Sequence, residues 1–341
     1  MQTYSQRALT KRTDVFDAIS AILTSLYGQT GHLFGLSKQS FDEALLWSAS
    51  IALVSNPDGR LFQSEERVIP TWSWGSVVST VYEMEEKFYG SLVKWSFLDG
   101  SNMEPLEAIE DPRTWGEPNA LARIYLMIAW SEGCIESKKD LLSWASTPFE
   151  QLDMTLRACW HSYEAFHHEA FEVESSSHPQ LPTFHPPQGP LHVTEGLLGV
   201  QAQSAHFRLS WPPSDSSYKA WISILNRSDK FAGYVYSREV SFQEDETLDL
   251  LCNRRDYEWE FIALSVGGLS QYKYRAIESS GLAFDLEKNK YHSSSGESLV
   301  PMVNVMMIMR EGGVTRRVTV GQIFLSEWSQ ASRSLSHIWL R

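Results

Sequence analysis

Beyond residue 56 the chain consists of short β-branched and aromatic runs that are separated by Gly, Pro, Ser and Asn. Such runs fit a pleated, half-buried surface and the separating residues favour turns, so this texture predicts a β-rich region. The clearest pair is VNVMMIMR and VTRRVTVGQIF, joined by Glu311-Gly312-Gly313, which predicts a hairpin near the C-terminus. The predicted strands are residues 72–80, 91–98, 121–130, 191–199, 204–210, 219–225, 232–240, 247–252, 258–266, 300–310 and 314–325.

The first fifty residues follow a helical pattern instead. Thr13-Asp14 is a good N-cap pair and Gly28 is a natural C-cap, so we expect a helix over residues 14–27. A second helix is expected over residues 37–52, where Ser40-x-x-Glu43 matches a capping box. The apolar residues at helical spacing in the first helix are Phe16, Ile19, Ile22, Leu23 and Leu26.

Two further segments interrupt the β-rich texture. Apolar residues at helical spacing predict a helix over residues 149–173, and five prolines in residues 174–190 predict an extended connector. We therefore expect an α+β fold, in which a short N-terminal helical segment packs on a mainly antiparallel β region that forms a distorted sandwich or barrel. The segments are a helical segment at 1–55, a first β segment at 56–148, the helix and Pro-rich connector at 149–190, and a C-terminal β region at 191–341.

The balance of charged residues limits the kinds of partner that the chain is expected to bind. The chain has 29 basic and 42 acidic side chains, a formal net charge of −13. Binding of nucleic acid or an anionic membrane depends on a basic surface that neutralises phosphates, so neither partner is expected. The longest apolar runs, residues 121–130 and 300–309, are shorter than the roughly 20 residues that a membrane helix needs.

The N-terminal residues and the cysteines indicate the cellular compartment. The first fourteen residues are polar and lack the apolar core of a secretory signal. Cys134, Cys159 and Cys252 are too far apart in sequence to form a local metal-binding or redox pair, and their number is odd. A cytoplasmic chain with reduced thiols is expected.

No standard catalytic signature occurs in the sequence, which lacks G-x-S-x-G, G-x-x-x-x-G-K-[ST], G-x-G-x-x-G and H-E-x-x-H. No catalytic residue, metal ion or cofactor is therefore expected. One metal candidate is a helix face with His161, Glu164 and His168, although a solvated helix face explains these residues more simply. An alternative enzyme interpretation is a glycan-acting hydrolase with Glu258 and Glu260 as its carboxylate pair, but a solvated pair at a strand edge is simpler.

Tryptophan is unusually frequent, with thirteen residues. Trp72 and Trp74 alternate with Ser73, which predicts two indoles on one face of a strand and the serine on the other. Exposed indoles could stack on sugars or bases, but we interpret both as core residues.

The residues around this pair carry a family resemblance. Pro70-Thr71-Trp72-Ser73-Trp74-Gly75-Ser76-Val77 resembles the P-S-W-S-W-A-S/G motif of fungal heterokaryon-incompatibility (HET) domain proteins. Upstream, R-A-L-T, D-x-x-D-A and F-x-x-A-L-L-W are similar to a segment of that family. Downstream, five strand motifs have the family's order, and the resemblance is collinear over most of residues 7–341. These motifs begin at Ser204, Ala232, Glu260, Asn304 and Arg317.

The resemblance does not extend to the HET core, which precedes this region in the family. The core motifs L-S-Y-x-W-G, W-I-D-x-x-C-I-N-Q and R-x-W-T-x-Q-E do not occur in these 341 residues. The chain is thus similar to the C-terminal region of HET-domain proteins. It resembles a partial gene product or a truncated homologue without the core. A TIR-like nucleotide hydrolase activity, which the family likeness attaches to the core, would require that core.

What the resemblance implies is a non-catalytic accessory or regulatory region linked to fungal non-self recognition and programmed cell death. Its partner would be another protein or the missing core domain. Pro70, Trp72, Ser73 and Trp74 are then structural motif residues. The apolar faces of the helices in residues 14–52 are expected to be a partner surface, because exposed apolar patches often mark one.

Overall fold

A computed structural model gives the placement of most of the predicted strands. It describes residues 16–38, 41–49, 63–64, 67–76, 81–83, 87–99, 102–106, 196–210, 221–236, 257–269, 291–292, 298–311 and 314–341. The helices are α1 (Asp17–Tyr27), α2 (Phe41–Ala44) and α3 (Leu325–Gln330). The strands are β1 (His32–Leu33), β2 (Leu36–Ser37), β3 (Trp47–Ala49), β4 (Gln63–Ser64), β5 (Arg67–Val68), β6 (Val81–Glu83), β7 (Lys87–Ser91), β8 (Lys94–Asp99), β9 (Asn102–Leu106), β10 (Leu198–Ser210), β11 (Trp221–Leu225), β12 (Phe231–Tyr236), β13 (Glu258–Gly268), β14 (Tyr291–His292), β15 (Ser298–Leu299), β16 (Pro301–Glu311), β17 (Val314–Phe324) and β18 (Ser334–Leu340).

Six of these strands close into a ring. Strand β10 pairs with β11, followed in order by β12, β17, β16 and β13, and β13 returns to β10. Every pairing in this ring is antiparallel. Closure leaves the ring without the unpaired edges of an open sheet. The α+β prediction is confirmed, and of its two forms the ring corresponds to the barrel.

Strand β10 organises the barrel because different parts of it pair with four partners. Residues 204–208 pair with β13 and residues 208–210 with β11, which closes the ring. Residues 198–204 pair with β18 and residues 198–201 also with β8. The additional strands β7, β8, β9 and β18 thus extend the same sheet beyond the ring.

The register assigns buried residues to the two faces of the ring. Phe207, Trp259 and Phe261 lie on one face, since Phe207 is opposite Trp259 and Phe261 is two residues further along β13. Ile262 and Met306, which are opposite each other, lie on the other face and join the core that includes the N-terminal residues. A small ring encloses only side chains, so the face that carries the N-terminal segment is the outer one.

The outer core therefore joins the start and the end of the chain. Residues from α1, β2, α2 and β3 pack on β8, β10, β13, β16, β17 and β18. The buried members of this cluster are Ile19, Leu23, Leu36, Phe41, Leu45, Leu46, Trp47, Ile69, Trp72, Trp74, Val93, Trp95, Leu198, Val200, Ala202, Ile262, Leu264, Met306, Ile308, Val320, Ile338 and Leu340.

The first predicted helix is confirmed as α1. Gly28 ends it with φ of 79°, and its N–H donates to Thr24 O at 2.9 Å. This positive φ favours glycine, as the sequence indicated. The proposed N-cap pair Thr13-Asp14 lies outside the described residues.

The second predicted helix, residues 37–52, is wrong in most of its length. Among the described residues of this segment, 37–38 and 41–49, only Phe41–Ala44 is helical, and Trp47–Ala49 is the strand β3, which pairs with β6. Leu45 and Leu46 N–H groups donate to Phe41 O and Glu43 O, which closes the last turn before the strand. Strand pairing and burial of Trp47 prevail here over a weak local helical preference.

The C-terminal strands agree with the sequence pattern. The predicted strands at 219–225, 232–240, 258–266, 300–310 and 314–325 correspond to β11, β12, β13, β16 and β17. The hairpin is confirmed, with Glu311 opposite Val314 at its closing end. The predicted strand at 91–98 corresponds to β8, and that at 204–210 is the second part of the longer β10.

Several expectations fall outside the described residues. They are the strands at 121–130 and 247–252, most of the strand at 191–199, the helix at 149–173 and the connector at 174–190. The four-segment division remains a prediction. Within the described ranges, no helix has the length and apolar character needed to cross a membrane.

Candidate functional site

The motif that carries the family resemblance forms a turn. Ser73 N–H donates to Pro70 O at 3.0 Å, Ser76 N–H donates to Ser73 O at 3.0 Å, and Trp74–Ser76 is a 3-10 helix. The predicted strand at 72–80 is therefore wrong over residues 72–76. Alternation fails as a guide because Trp72, Ser73 and Trp74 are all buried, so no residue of the triplet faces solvent.

Each indole of this turn has a fixed hydrogen-bond acceptor. Trp72 Nε1–H donates to Gly196 O at 3.0 Å, and Trp74 Nε1–H donates to Gly35 O at 3.0 Å. Trp72 is 0% exposed and Trp74 is 1% exposed. The core interpretation of both residues is confirmed, and neither offers a face for stacking on a ligand.

The two serines of the turn also bond to backbone. Ser73 Oγ donates to Phe34 O at 2.7 Å, and Ser76 Oγ donates to Ser73 O at 2.7 Å. Ser73 thereby ties the turn to the loop between β1 and β2. Buried hydroxyls without such acceptors would be unfavourable, so these bonds explain why serines occur inside this core.

Gly35 makes the close approach of this loop possible. Its φ is 83°, and a Cβ placed there would lie 2.6 Å from Trp74 Nε1. Both the backbone conformation and the space therefore require glycine. Phe34 precedes it at φ of 45°, so the loop is held in an uncommon conformation against the turn.

Phenylalanines surround the turn in edge-to-face contacts. Phe34 and Phe41 lie 5.4 Å and 5.8 Å from Trp72, and Phe16 lies 6.0 Å from Trp74, measured between ring centroids. Such contacts follow the charge distribution of aromatic rings and add to area burial. Since Phe16 directly precedes α1, its contact connects that helix to the turn.

Arg317 of β17 joins this cluster from the barrel. Its guanidinium lies 3.5 Å from the centroid of the Trp47 ring. Its Nη atoms donate to the backbone oxygens of Trp72, at 3.4 Å, and of Trp47. Among the described residues no carboxylate pairs with it, and burial holds the pKa of Arg317 well below its ordinary value.

Thr71 connects the same turn to the C-terminal residue. Its Oγ1 donates to Arg341 O and accepts the backbone N–H of Arg317 at 3.1 Å. Arg341 N–H in turn donates to Thr315 O at 2.9 Å. The W-S-W turn is thus bonded to β17 and to the residue that follows β18. Arg317 and Trp72, which share one of these bonds, are 245 residues apart in sequence.

A chain of polar side chains crosses four strands of the ring. Tyr234 OH donates to Gln322 Oε1, Gln322 Nε2 donates to Asn304 Oδ1 at 2.7 Å, and Asn304 Nδ2 donates to Ser265 Oγ at 2.8 Å. All four side chains are 0% exposed. The register places them opposite one another on β12, β17, β16 and β13, so one network specifies the alignment of four strands.

The carboxylate pair of the hydrolase alternative lies on β13. Arg310 binds Glu260 with two bonds, Nε to Oε2 at 2.7 Å and Nη2 to Oε1 at 2.6 Å. Partial burial raises the pKa of Glu260, but the hydrogen bond and charge of Arg310, with smaller effects of His206 and Ser204, lower it by more. The net pKa lies below the ordinary value. An ionised Glu260 held by arginine does not suit the general acid of a glycosidase, which needs a raised pKa.

Helix α1 presents large apolar side chains to solvent. Ile19 and Leu23 are buried, whereas Ile22 is 55%, Leu26 is 67% and Tyr27 is 38% exposed. Asp17 is the only charged residue of the helix. Thr24 and Ser25 are exposed as well, so the exposed side of α1 carries polar side chains beside its three large apolar ones. Of the apolar faces expected over residues 14–52, Ile19, Leu23, Phe41 and Leu45 are buried, and the partner surface stays a prediction.

The metal candidate cannot be compared with the structure, because His161, Glu164 and His168 lie outside the described residues. In the part of the chain that the structure describes, no group of three or more His, Cys, Asp or Glu side chains could hold a metal ion.

Sequence reasoning missed Arg317 and the polar chain. One signal for Arg317 was available, since Arg316 and Arg317 are adjacent in a strand and neighbouring side chains point to opposite faces. One of these two arginine side chains therefore lies on the face of β17 that packs on the core. Local sequence does not tell which face of β17 the aromatic cluster covers.

Comparisons with known proteins identify no relative. No protein-family model, no curated protein and no solved structure matches the chain.

Proposed function

We propose that this chain is a non-catalytic accessory or regulatory region of a HET-type protein, linked to fungal non-self recognition and programmed cell death. It acts in the cytoplasm by contact with a protein partner, which is a HET-type core domain or another protein. The observation that carries the proposal is the exposed apolar side of α1, with Ile22, Leu26 and Tyr27.

The W-S-W turn supports this proposal through its position. Its residues have no contact role of their own, because Trp72, Ser73 and Trp74 are buried and hydrogen-bonded. Instead, Trp74 packs on Phe16 at the start of α1. The motif that carries the family resemblance therefore anchors the helix whose opposite side is exposed.

The distribution of charge supports a protein partner. The chain carries a net charge of −13, yet α1 has a single charged residue. Interface cores are depleted in charge and enriched in large apolar and aromatic side chains, as this helix side is. Ile22 and Leu26 are four residues apart and so lie on one side of the helix, which suits packing against another helix.

The test uses a separately expressed HET-type core that contains the three core motifs. We expect it to bind the chain in isothermal titration calorimetry, and we expect Leu26→Glu to weaken binding at least tenfold because a charge would enter an apolar contact. Thr24→Glu is the matched control, since Thr24 is exposed on the same helix and is polar. It should bind as the original chain does.

The cellular form of the experiment measures function directly. Fungal cells that express the core and the chain together should lose viability, and cells with the Leu26→Glu chain should not. Absence of binding, or equal effects of Leu26→Glu and Thr24→Glu, would contradict the proposal. Thermal melts of both variants show whether the fold is retained.

A further inference from the structure

Two arginine residues lie next to each other at one end of the barrel. Thr315 of β17 is opposite Leu340 of β18 in a parallel pair, and the Arg341 N–H continues this pairing by its bond to Thr315 O at 2.9 Å. The next residues, Arg316 and Arg341, are therefore neighbours on the face opposite to that of Leu340. Since Leu340 belongs to the outer core, both arginines lie on the inner face.

Two partly exposed apolar side chains border this pair. Met309 of β16 is opposite Arg316 and is 37% exposed. Tyr257 is 43% exposed, and its ring lies 4.7 Å from that of Trp259, the neighbour of Met309 in the register of β13 and β16. Residues opposite each other in an antiparallel pair have Cβ atoms about 4.5–5.5 Å apart, so Met309 lies directly beside Arg316. An apolar surface thus adjoins the two arginines.

The positive charges of the pair are not cancelled locally. Both arginines are half-buried. Burial and the charge of Arg316 hold the pKa of Arg341 below its ordinary value, whereas a carboxylate that neutralised the pair would raise this pKa. Glu311, the next residue of β16 on this face, is opposite Val314 and so lies farther from Arg341 than Arg316 does. Two like charges in a half-buried position repel each other, and an anion between them would relieve that repulsion.

Each of these guanidinium groups can bind an anion in addition to its contacts within the chain. A guanidinium carries five N–H donors in a planar fork, and a carboxylate that binds in the bidentate manner uses two of them. Arg310 differs, because it lies on the outer face and both oxygens of Glu260 accept its N–H groups. Arg316 and Arg341 therefore combine donors for an anion with an adjoining apolar surface.

We propose that this end of the barrel binds a small organic carboxylate that carries an aromatic or other apolar group. The carboxylate oxygens accept N–H groups of Arg316 and Arg341, and the apolar group lies on Met309 and Tyr257. The charge-assisted hydrogen bonds select an anion and orient it, and the apolar contact adds affinity. The proposal does not depend on the partner surface of α1.

The probes are benzoate, benzyl alcohol and acetate, which separate the contribution of the charge from that of the ring. Titrations followed by the arginine Nε–Hε NMR signals of the full chain give the three affinities. Benzyl alcohol should bind about tenfold or more weakly than benzoate, because hydrogen bonds between charged groups contribute at least about that factor. Acetate should bind about threefold or more weakly, because it lacks the ring that covers apolar surface.

A second label locates the ring of the ligand. In chain labelled with 13C at the methionine methyl groups, benzoate should shift the signal of Met309, and acetate should shift it much less, because only benzoate has a ring current. Met309→Leu identifies this signal by its disappearance. Tyr257→Ala should weaken benzoate and leave acetate unchanged.

Three charge variants test the arginines. Arg316→Gln and Arg341→Gln should each weaken benzoate about fivefold or more, because each removes charged donors to the carboxylate. Arg310→Gln is the matched control, since it removes the same charge from an exposed arginine of the outer face, and it should change the affinity by less than about twofold because exposed charges outside the site are screened.

The outcomes decide the proposal in either direction. It is overturned if benzoate gives no saturable shift, if benzyl alcohol or acetate binds as tightly as benzoate, or if Arg310→Gln weakens benzoate as much as Arg316→Gln does. If a glutamine variant does not fold, the Nε–Hε signals of Arg316 and Arg341 in the original chain decide, because a carboxylate bound elsewhere would leave both unchanged.

Discussion

Arg317 lies with its guanidinium on the indole of Trp47, 3.5 Å from the ring centroid, and bonds to the backbone oxygens of Trp47 and Trp72. This buried cation therefore holds two segments that are distant in sequence, β3 and the W-S-W turn, against β17. The attraction of the indole face and two carbonyl dipoles compensates part of the desolvation of the charge.

Replacement of Arg317 should show how much this arrangement stabilises the fold. We expect Arg317→Ala to lower the free energy of unfolding by about 2–5 kcal/mol, because Trp47 O loses the guanidinium donor, Trp72 O keeps only the indole N–H of Trp47, and a cavity forms. Urea unfolding at pH 7 measures the change. Arg316→Ala on the neighbouring position is the control and should cost less than about 1 kcal/mol. Equal losses in the two variants would mean that the buried contacts of Arg317 add nothing.

Two substitutions of Trp74 distinguish the contribution of its packing from that of its hydrogen bond. We expect Trp74→Ala to cost about 3–5 kcal/mol, because a large, fully buried side chain is removed. Trp74→Phe keeps part of the ring but leaves Gly35 O without its donor, so a smaller loss of about 1–3 kcal/mol is expected. Thermal melts measure both. A Trp74→Ala chain that melts like the original would contradict the core assignment.

Gly35 should tolerate no side chain. Gly35→Ala adds a Cβ that would meet the buried Trp74 ring at 2.6 Å, and it places alanine at a φ of 83°. Both effects disfavour the folded state, and together they should lower the free energy of unfolding by more than about 1 kcal/mol. Gly28→Ala is the matched control, because Gly28 also has positive φ but has nothing within 4 Å of the added Cβ. A loss no larger than that of the control would show that the loop can move away from the turn.

Sequence patterns predicted the barrel strands because each of these strands repeats apolar residues over several positions. The hairpin of β16 and β17 has both the pattern and a turn that tolerates positive φ, and it was predicted nearly to the residue. The W-S-W segment was misinterpreted because a turn can bury two residues that are two positions apart, as one face of a strand does. Only the contacts with Phe34, Gly35 and Gly196 decide between them.

Residues 45–52 illustrate the second limit. Their local composition favours a helix, and the strand β3 forms because β6 supplies hydrogen-bond partners from 32 to 36 residues away. Long-range pairing of this kind is not encoded in local periodicity. For the candidate site, sequence could indicate that α1 is amphipathic, but the exposure of Ile22 and Leu26 depends on what packs beside them.

The pH dependence of stability should include a contribution from Glu260. Its pKa in the folded chain lies below the ordinary value of about 4.5, because Arg310 and its neighbours outweigh partial burial. A lowered carboxyl pKa stabilises the fold above pH 4.5, and this stabilisation is lost as the pH falls through the lower folded value. Arg310 is half exposed, so the contribution should be only about 0.5–1 kcal/mol.

Glu260→Gln isolates that contribution. Urea unfolding at pH 7 and at pH 3 gives the free energy of unfolding of each chain. This free energy should fall more between pH 7 and pH 3 in the original chain than in the variant, so the two chains should differ less at pH 3 than at pH 7. Glu258→Gln is the control, since Glu258 is exposed on the same strand. If Glu260→Gln leaves the difference between the two pH values unchanged, the Arg310 pair does not lower this pKa.

The polar chain from Tyr234 to Ser265 should behave as one unit. Asn304→Leu removes the acceptor of Gln322 Nε2 and the donor to Ser265 Oγ, and it leaves both groups buried. We expect a loss of about 2–5 kcal/mol, because each buried polar group left unpaired costs about 1–3 kcal/mol. Met306→Leu, two residues along on the same strand face, conserves volume and should cost less than about 1.5 kcal/mol.

A second substitution distinguishes loss of hydrogen bonds from a poor fit of leucine. Ser265→Ala in the Asn304→Leu background removes one of the two unpaired groups, so it should cost less than Ser265→Ala alone. The double-mutant cycle, measured by urea unfolding, gives the interaction between the two residues. Additive losses would show that Asn304 and Ser265 stabilise the barrel independently, and the network would then have no role in aligning β13 with β16.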